Sequence, residues 1–77
     1  MENNINDPPT FVNNDKQEWR KDGKLHRDND LPAVIYVDGT QKWYQNGRCH
    51  REDGPAIICA NGDQHWYQNG ECHREDG

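Results

Sequence analysis

"WYQNGRCHREDG" at residues 43–54 returns as "WYQNGECHREDG" at residues 66–77, and a looser copy, "WRKDGKLHRDND", stands at residues 19–30. The recurrence extends upstream. Trp19, Trp43 and Trp66 are 24 and 23 residues apart, each is followed seven residues later by His26, His50 or His73, and each is preceded by Pro8, Pro32 or Pro55 eleven residues earlier. The chain therefore divides into units 8–30, 31–53 and 54–77 behind a flexible polar leader, residues 1–7, and reads as one β-repeat domain over 8–77. The one extra residue of the first spacing falls between His26 and Pro32, where a turn would absorb it.

Turn chemistry assigns the fold class. All seven glycines follow Asn or Asp, at intervals of 7 to 16 residues. Asn-Gly and Asp-Gly suit the positive φ angles of type I′ hairpin turns, and the runs between them are short and rich in β-branched and aromatic residues. The second unit reads as a strand near 33–37, a turn at Asp38-Gly39, a strand near 41–45, a turn at Asn46-Gly47, a short strand near 48–51 and an "EDGP" corner. The expected fold is all-β: an antiparallel meander of three tandem 23–24-residue repeats forming a rolled or solenoid-like sheet. The first unit keeps Asp22-Gly23 but has no glycine after Asp15, as suits an atypical terminal repeat.

Composition narrows the function classes. A chain of 77 residues allows one small domain with a thin core. Leu, Ile, Val and Phe total ten residues against a net charge of −5, a balance typical of disorder, but six regularly spaced Trp and Tyr residues supply the missing apolar area. The N-terminal "MENNINDPPT" has neither a basic region nor an apolar run, so neither secretion nor a membrane span is expected and the reading is cytoplasmic. Three cysteines without a secretory signal point to reduced thiols.

The repeated block resembles variant MORN-type repeats, short hairpin units built around an aromatic-x-Asn-Gly turn in bacterial, phage and large-virus proteins. The likeness rests on "WYQNGRCHREDGPAIICANGDQH" and "WYQNGECHREDG" and covers residues 8–77. It implies an extended β-sheet used for binding, and, with the small size and acidic end, a phage-encoded inhibitor of a host protein.

The Cys-His-Arg-Glu-Asp block could be chemistry or architecture. Cys49 and Cys72 occupy the slot that Leu25 fills in the first unit, so a small buried hydrophobe explains them, and the expected core is Trp19, Trp43, Trp66, Leu25, Cys49 and Cys72. Cys49 and His50 are strand neighbours pointing to opposite faces, which argues against both a shared metal ion and a nucleophile–base pair. The competing metal or redox reading would use His50, His73, Cys49 and Cys72 across units, without zinc-type ligand spacing. The "HRD" at residues 26–28 matches a kinase catalytic loop only by chance, since the chain lacks the rest of that machinery. No catalytic residue and no cofactor are expected.

Partner binding is expected of Tyr44 and Tyr67, the less constant members of the Trp-Tyr pairs, and of Asp63, Glu71, Glu75, Asp76, Arg51 and Arg74. Arg27, Arg51 and Arg74 are expected to pair with Asp28, Glu52, Glu75 and the acids that follow. The first two units sum to zero charge and the third is acidic, so direct nucleic-acid binding is not expected despite the mixed patch at Lys16, Arg20, Lys21, Lys24 and Arg27. A protein partner is, for example a nucleic-acid-handling defence protein whose basic groove meets an acidic or aromatic sheet face. A homodimer through the open C-terminal strand edge and a self-assembling structural array are the further expectations.

Overall fold

The computed structural model describes residues 8–72. The leader 1–7 and His73, Arg74, Glu75 and Asp76 lie outside the described residues. The secondary structure consists of short strands: β1 (Phe11–Val12), β2 (Lys16–Glu18), β3 (Arg20–Lys21), β4 (Lys24–Leu25), β5 (Val34–Tyr36), β6 (Gln41–Lys42), β7 (Tyr44–Gln45), β8 (Arg48–Cys49), β9 (Ile57–Ile58), β10 (Gln64–His65), β11 (Tyr67–Gln68) and β12 (Glu71–Cys72). Six form one antiparallel sheet in the order β1-β2-β5-β6-β9-β10, and the others form the hairpins β3-β4, β7-β8 and β11-β12.

The strand expected near 41–45 is divided at Trp43, and the same break falls at Trp19 and Trp66. The reason lies in the backbone. Trp43 donates its N–H to Ala56 of the large sheet at 2.7 Å, while its carbonyl accepts the His50 N–H of its own hairpin at 3.0 Å. Trp19 repeats this with Ala33 at 2.8 Å and His26 at 3.0 Å. Half of each unit thereby leaves the large sheet instead of bending it, and the sheet is open, with β1 and β10 at opposite margins. It is neither closed nor strongly curled, so the rolled form is corrected.

The Asn-Gly and Asp-Gly turns are of two kinds. Asp22-Gly23, Asn46-Gly47 and Asn69-Gly70 have positive φ at both residues, as type I′ turns require. At Asp38-Gly39 and Asn61-Gly62 only the glycine is left-handed. There Gly39 N–H bonds to Tyr36 at 3.0 Å and Tyr36 N–H to Thr40 at 2.8 Å, a three-residue loop with a left-handed glycine at its end rather than the expected type I′ turn. In the first unit the Asn13 side chain replaces the missing glycine by accepting the amides of Asp15 and Lys16 at 2.8 and 2.9 Å.

Pairing register sorts the side chains, because directly opposed residues share a face. Phe11, Glu18, Val34, Lys42, Ile57 and His65 form one row; Val12, Gln17, Ile35, Gln41, Ile58 and Gln64 form the next, on the other face. The core is thin: Trp19, Ala33, Val34, Trp43 and Ala56 are its buried apolar residues. The two alanines sit where the Trp amides bond to the sheet and are fully buried. Leu25, Cys49 and Trp66 are half-buried, and Cys72, expected in the core, is exposed. The β7-β8 hairpin lies between its neighbours, and β11-β12 meets β8.

Candidate binding surface

The Arg and His of the repeated block are built into the junctions between units. Arg27 stacks on Trp19 at 3.7 Å from the ring centroid and Arg51 on Trp43 at 3.9 Å. Each also donates Nη1 to the backbone ahead of the next strand, Arg27 to Pro32 at 3.2 Å and Arg51 to Pro55 at 3.1 Å. The fixed planar fork of a guanidinium suits this double task, which an ammonium could not perform. His26 Nδ1 accepts the Asn46 N–H at 3.1 Å and His50 Nδ1 accepts that of Asn69 at 3.0 Å. Their Nε2 atoms face Asp28 at 2.8 Å and Glu52 at 3.6 Å.

These geometries correct the expected ion pairs in part: Asp28 and Glu52 are taken by the histidines, while an acid following Asp28 does meet an arginine. The acids at 28 and 52 face the histidines, and Arg51 reaches back to Asp30, with Nε–Oδ1 at 2.9 Å and Nη2–Oδ2 at 3.2 Å. Arg51, expected as a partner-binding residue, is held by Trp43, Pro55 and Asp30. Asp30 is one of the following acids expected to meet an arginine across the corner, and it does more than pair. It sits in the interval carrying the extra residue, Asn29 and Asp30 both adopt left-handed backbone (φ 66° and 57°), and its carbonyl also accepts Trp43 Nε1–H at 3.0 Å. Asn and Asp tolerate that conformation better than other non-glycine residues, so the inserted residue could have been read as a corner clamp.

An open hollow of about 580 Å³ lies against this clamp, lined among others by Lys24, Asn46, Arg48, His50 and Asn69. Its wall is polar and its aromatic component, Trp43, is already covered by Arg51.

The aromatic surface is elsewhere. Tyr36 follows Val34 by two residues and stands on the same sheet face, with Lys42 Nζ 5.3 Å and Lys16 Nζ 5.9 Å from its ring centroid. Tyr44 is close enough to Tyr36, Tyr67, Lys42 and Cys49 to feel their charges, and burial is the main cause that pushes its hydroxyl above the ordinary tyrosine range. Tyr36, Tyr44 and Tyr67 are all half-buried. Tyr44 and Tyr67 were expected as an exposed pair; both are half-buried, in the hairpins β7-β8 and β11-β12, whereas Tyr36 stands on the large sheet.

Of the described acids expected to bind a partner, Glu71 and Asp63 stand apart from Tyr67. Tyr67 opposes Cys72 and Gln68 opposes Glu71, so Glu71 projects on the other side of its hairpin from Tyr67. Asp63 is exposed in the β9–β10 turn, where its amide is held by Asn61 at 3.0 Å. Glu75, Asp76 and Arg74 lie outside the described residues.

Cys49 opposes Tyr44, with its sulfur 3.9 Å from the Ala56 carbonyl oxygen. Burial raises its thiol above the usual range, an effect only partly offset by Lys42, so the neutral thiol is favoured over the thiolate that a nucleophile or metal ligand needs. Among the described residues no three His, Cys, Asp or Glu side chains converge on a point where a metal could sit, and no helix is long and apolar enough to cross a membrane. No protein-family model, curated protein or solved structure matches the chain.

Proposed function

We propose that this chain is a non-catalytic protein-binding module, a solenoid-like stack of MORN-type repeats that presents Tyr36, Tyr44 and Tyr67 to a protein partner. The observation that carries this reading is the half-burial of all three tyrosines, with Tyr36 on the large sheet flanked by Lys16 and Lys42 and with Tyr44 and Tyr67 at equivalent places in two successive hairpins. Tyrosine offers a rigid apolar body with a polar tip, the combination enriched at protein interfaces. The other reactive groups support the reading by their engagement: the described arginines at 27 and 51 and histidines at 26 and 50 hold units together, and the Cys49 thiol is kept neutral.

In its specific form the module is a phage-encoded inhibitor acting in the host cytoplasm. This rests on the resemblance of the repeats and on the acidic third unit, where one Arg stands against Asp63, Glu71, Glu75 and Asp76. A basic groove that normally handles nucleic acid suits that unit by charge, while the tyrosines supply contact area.

The test is affinity capture from a host lysate with the native chain, with Tyr36→Ala and Tyr67→Ala, and with Asp63→Lys, each checked for native circular dichroism. A stoichiometric protein lost with the tyrosine variants supports the tyrosine face. Loss with Asp63→Lys alone would move the interface to the acidic unit, and capture of nucleic acid in place of protein would overturn the reading.

A further inference from the structure

The two junctions inside the chain are made in one way. A hairpin glycine donates its amide to a carbonyl of the preceding unit, Gly47 to Leu25 at 2.8 Å and Gly70 to Cys49 at 2.9 Å. A long side chain of the preceding unit lies over that glycine, with Lys24 Cβ 3.6 Å and Arg48 Cβ 3.8 Å from where a Cβ would stand on Gly47 and Gly70. In the large sheet the same junctions are the pairings of β2 with β5 and of β6 with β9.

Among the described residues, the first unit presents the receiving half of such a junction with no such cover. Gly23 occupies the place of Gly47 and Gly70, yet nothing among the described residues lies within 4 Å of its Cβ direction. Thr10 bonds to Glu18 as Ala33 bonds to Lys42, so Phe11 corresponds to Val34. Val34, with a unit in front of it, is 2% exposed; Phe11 in the edge strand β1 is 45% exposed and Val12 beside it 59%. The third unit presents the giving half, with β10 as the opposite sheet edge and Glu71 exposed at the position of Lys24 and Arg48.

Charge favours joining the two. Lys24 lies over Gly47, the residue before Arg48, so residues at this position come close across a junction. Inside the chain both are basic. Between copies Glu71 would stand beside Lys24, with Lys21 near it in the same hairpin, and neither lysine makes an ion pair among the described residues.

We infer that the chain binds a second copy of itself head to tail, the β10 edge and Glu71 of one copy seating on β1, Gly23 and Lys24 of the next as a continuation of its internal junctions. Such a contact is heterologous: it leaves a free head and a free tail, so association proceeds past the dimer to a ring or filament. It uses sheet edges and leaves the tyrosine face open, and so stands or falls independently of the proposed partner.

Sedimentation velocity of the 77-residue chain from low micromolar to near-millimolar concentration tests this. The expected result is a mass that rises with concentration beyond the dimer and falls when salt shortens the Debye length from about 10 Å to about 3 Å. Lys24→Glu and Glu71→Lys, both at exposed positions and checked by circular dichroism, should each weaken association about tenfold or more by placing like charges together. The double variant K24E/E71K should restore it. A monomer throughout, growth that stops at a dimer, or association indifferent to both single reversals would each overturn the inference.

Discussion

The Arg51 guanidinium lies 3.9 Å from the Trp43 ring centroid, and that stacking is the centre of a clamp that ties the second unit to those on either side. Asp30 comes from the first unit and the Pro55 carbonyl from the third. Arg51→Lys should therefore lower unfolding stability by about 1–2 kcal/mol, because a lysine retains charge but loses the stacked plane and the paired donors. Arg51→Ala should cost more. Chemical denaturation followed by Trp fluorescence checks this; a loss as small as that of an ordinary surface ion pair would refute the clamp.

The Asn69 amide depends on His50. An Nδ1 that accepts a backbone N–H at 3.0 Å requires the tautomer with the proton on Nε2, and His26 has the same requirement from Asn46 at 3.1 Å. Nitrogen NMR of the neutral rings should show the Nε2–H form for both. His50→Ala should destabilise the fold by about 1 kcal/mol and speed hydrogen exchange at Asn69. Exchange unchanged at Asn69 would mean that the ring does not hold the junction.

Much of this architecture is legible before any coordinates. Positive-φ turns follow from Asn-Gly and Asp-Gly, and the interchange of Leu25 with Cys49 points to a thiol without a catalytic task. What sequence spacing leaves out is the change of hydrogen-bond partner at each Trp, because strand propensity runs unbroken through 41–45 and only the pairing of Trp43 with both Ala56 and His50 divides it. The same limit hides the Asp30–Arg51 pair, which joins residues of different units. Short range charge patterning suggested Arg51 with Glu52; the stacked indole fixes the guanidinium away from its neighbour and toward Asp30.

Glu18 links acid stability to the first unit. It is a buried carboxylate hydrogen-bonded to Lys16 at 2.9 Å and to Arg20 at 3.0 Å, and Lys16 above all holds its carboxyl below the usual carboxylate range. A group whose folded pKa is depressed contributes stability above its unfolded pKa and loses it as pH falls through the folded value. Glu18→Gln should therefore be less stable than the native chain at neutral pH, with the gap narrowing as pH drops below the ordinary carboxylate range. Thermal unfolding of both chains across that range checks the sign; a gap that widens in acid would contradict it.

The thiols should separate by reactivity in the folded protein. Cys72 is exposed, whereas Cys49 is half-buried opposite Tyr44 and its thiol is raised by burial, so an alkylating reagent at neutral pH should modify Cys72 first and Cys49 slowly. The companion substitutions test the role of the slot. Cys49→Leu, which installs the residue used at position 25, should preserve folding, while Cys49→Ser should cost about 1–2 kcal/mol by placing a hydroxyl against the half-buried Tyr44 side. Mass mapping of the alkylated peptides and denaturation of the two variants give the answer. If Cys49 reacts faster than Cys72, or if serine is tolerated better than leucine, the slot serves thiol chemistry and the apolar reading of the repeated block fails at its most diagnostic position.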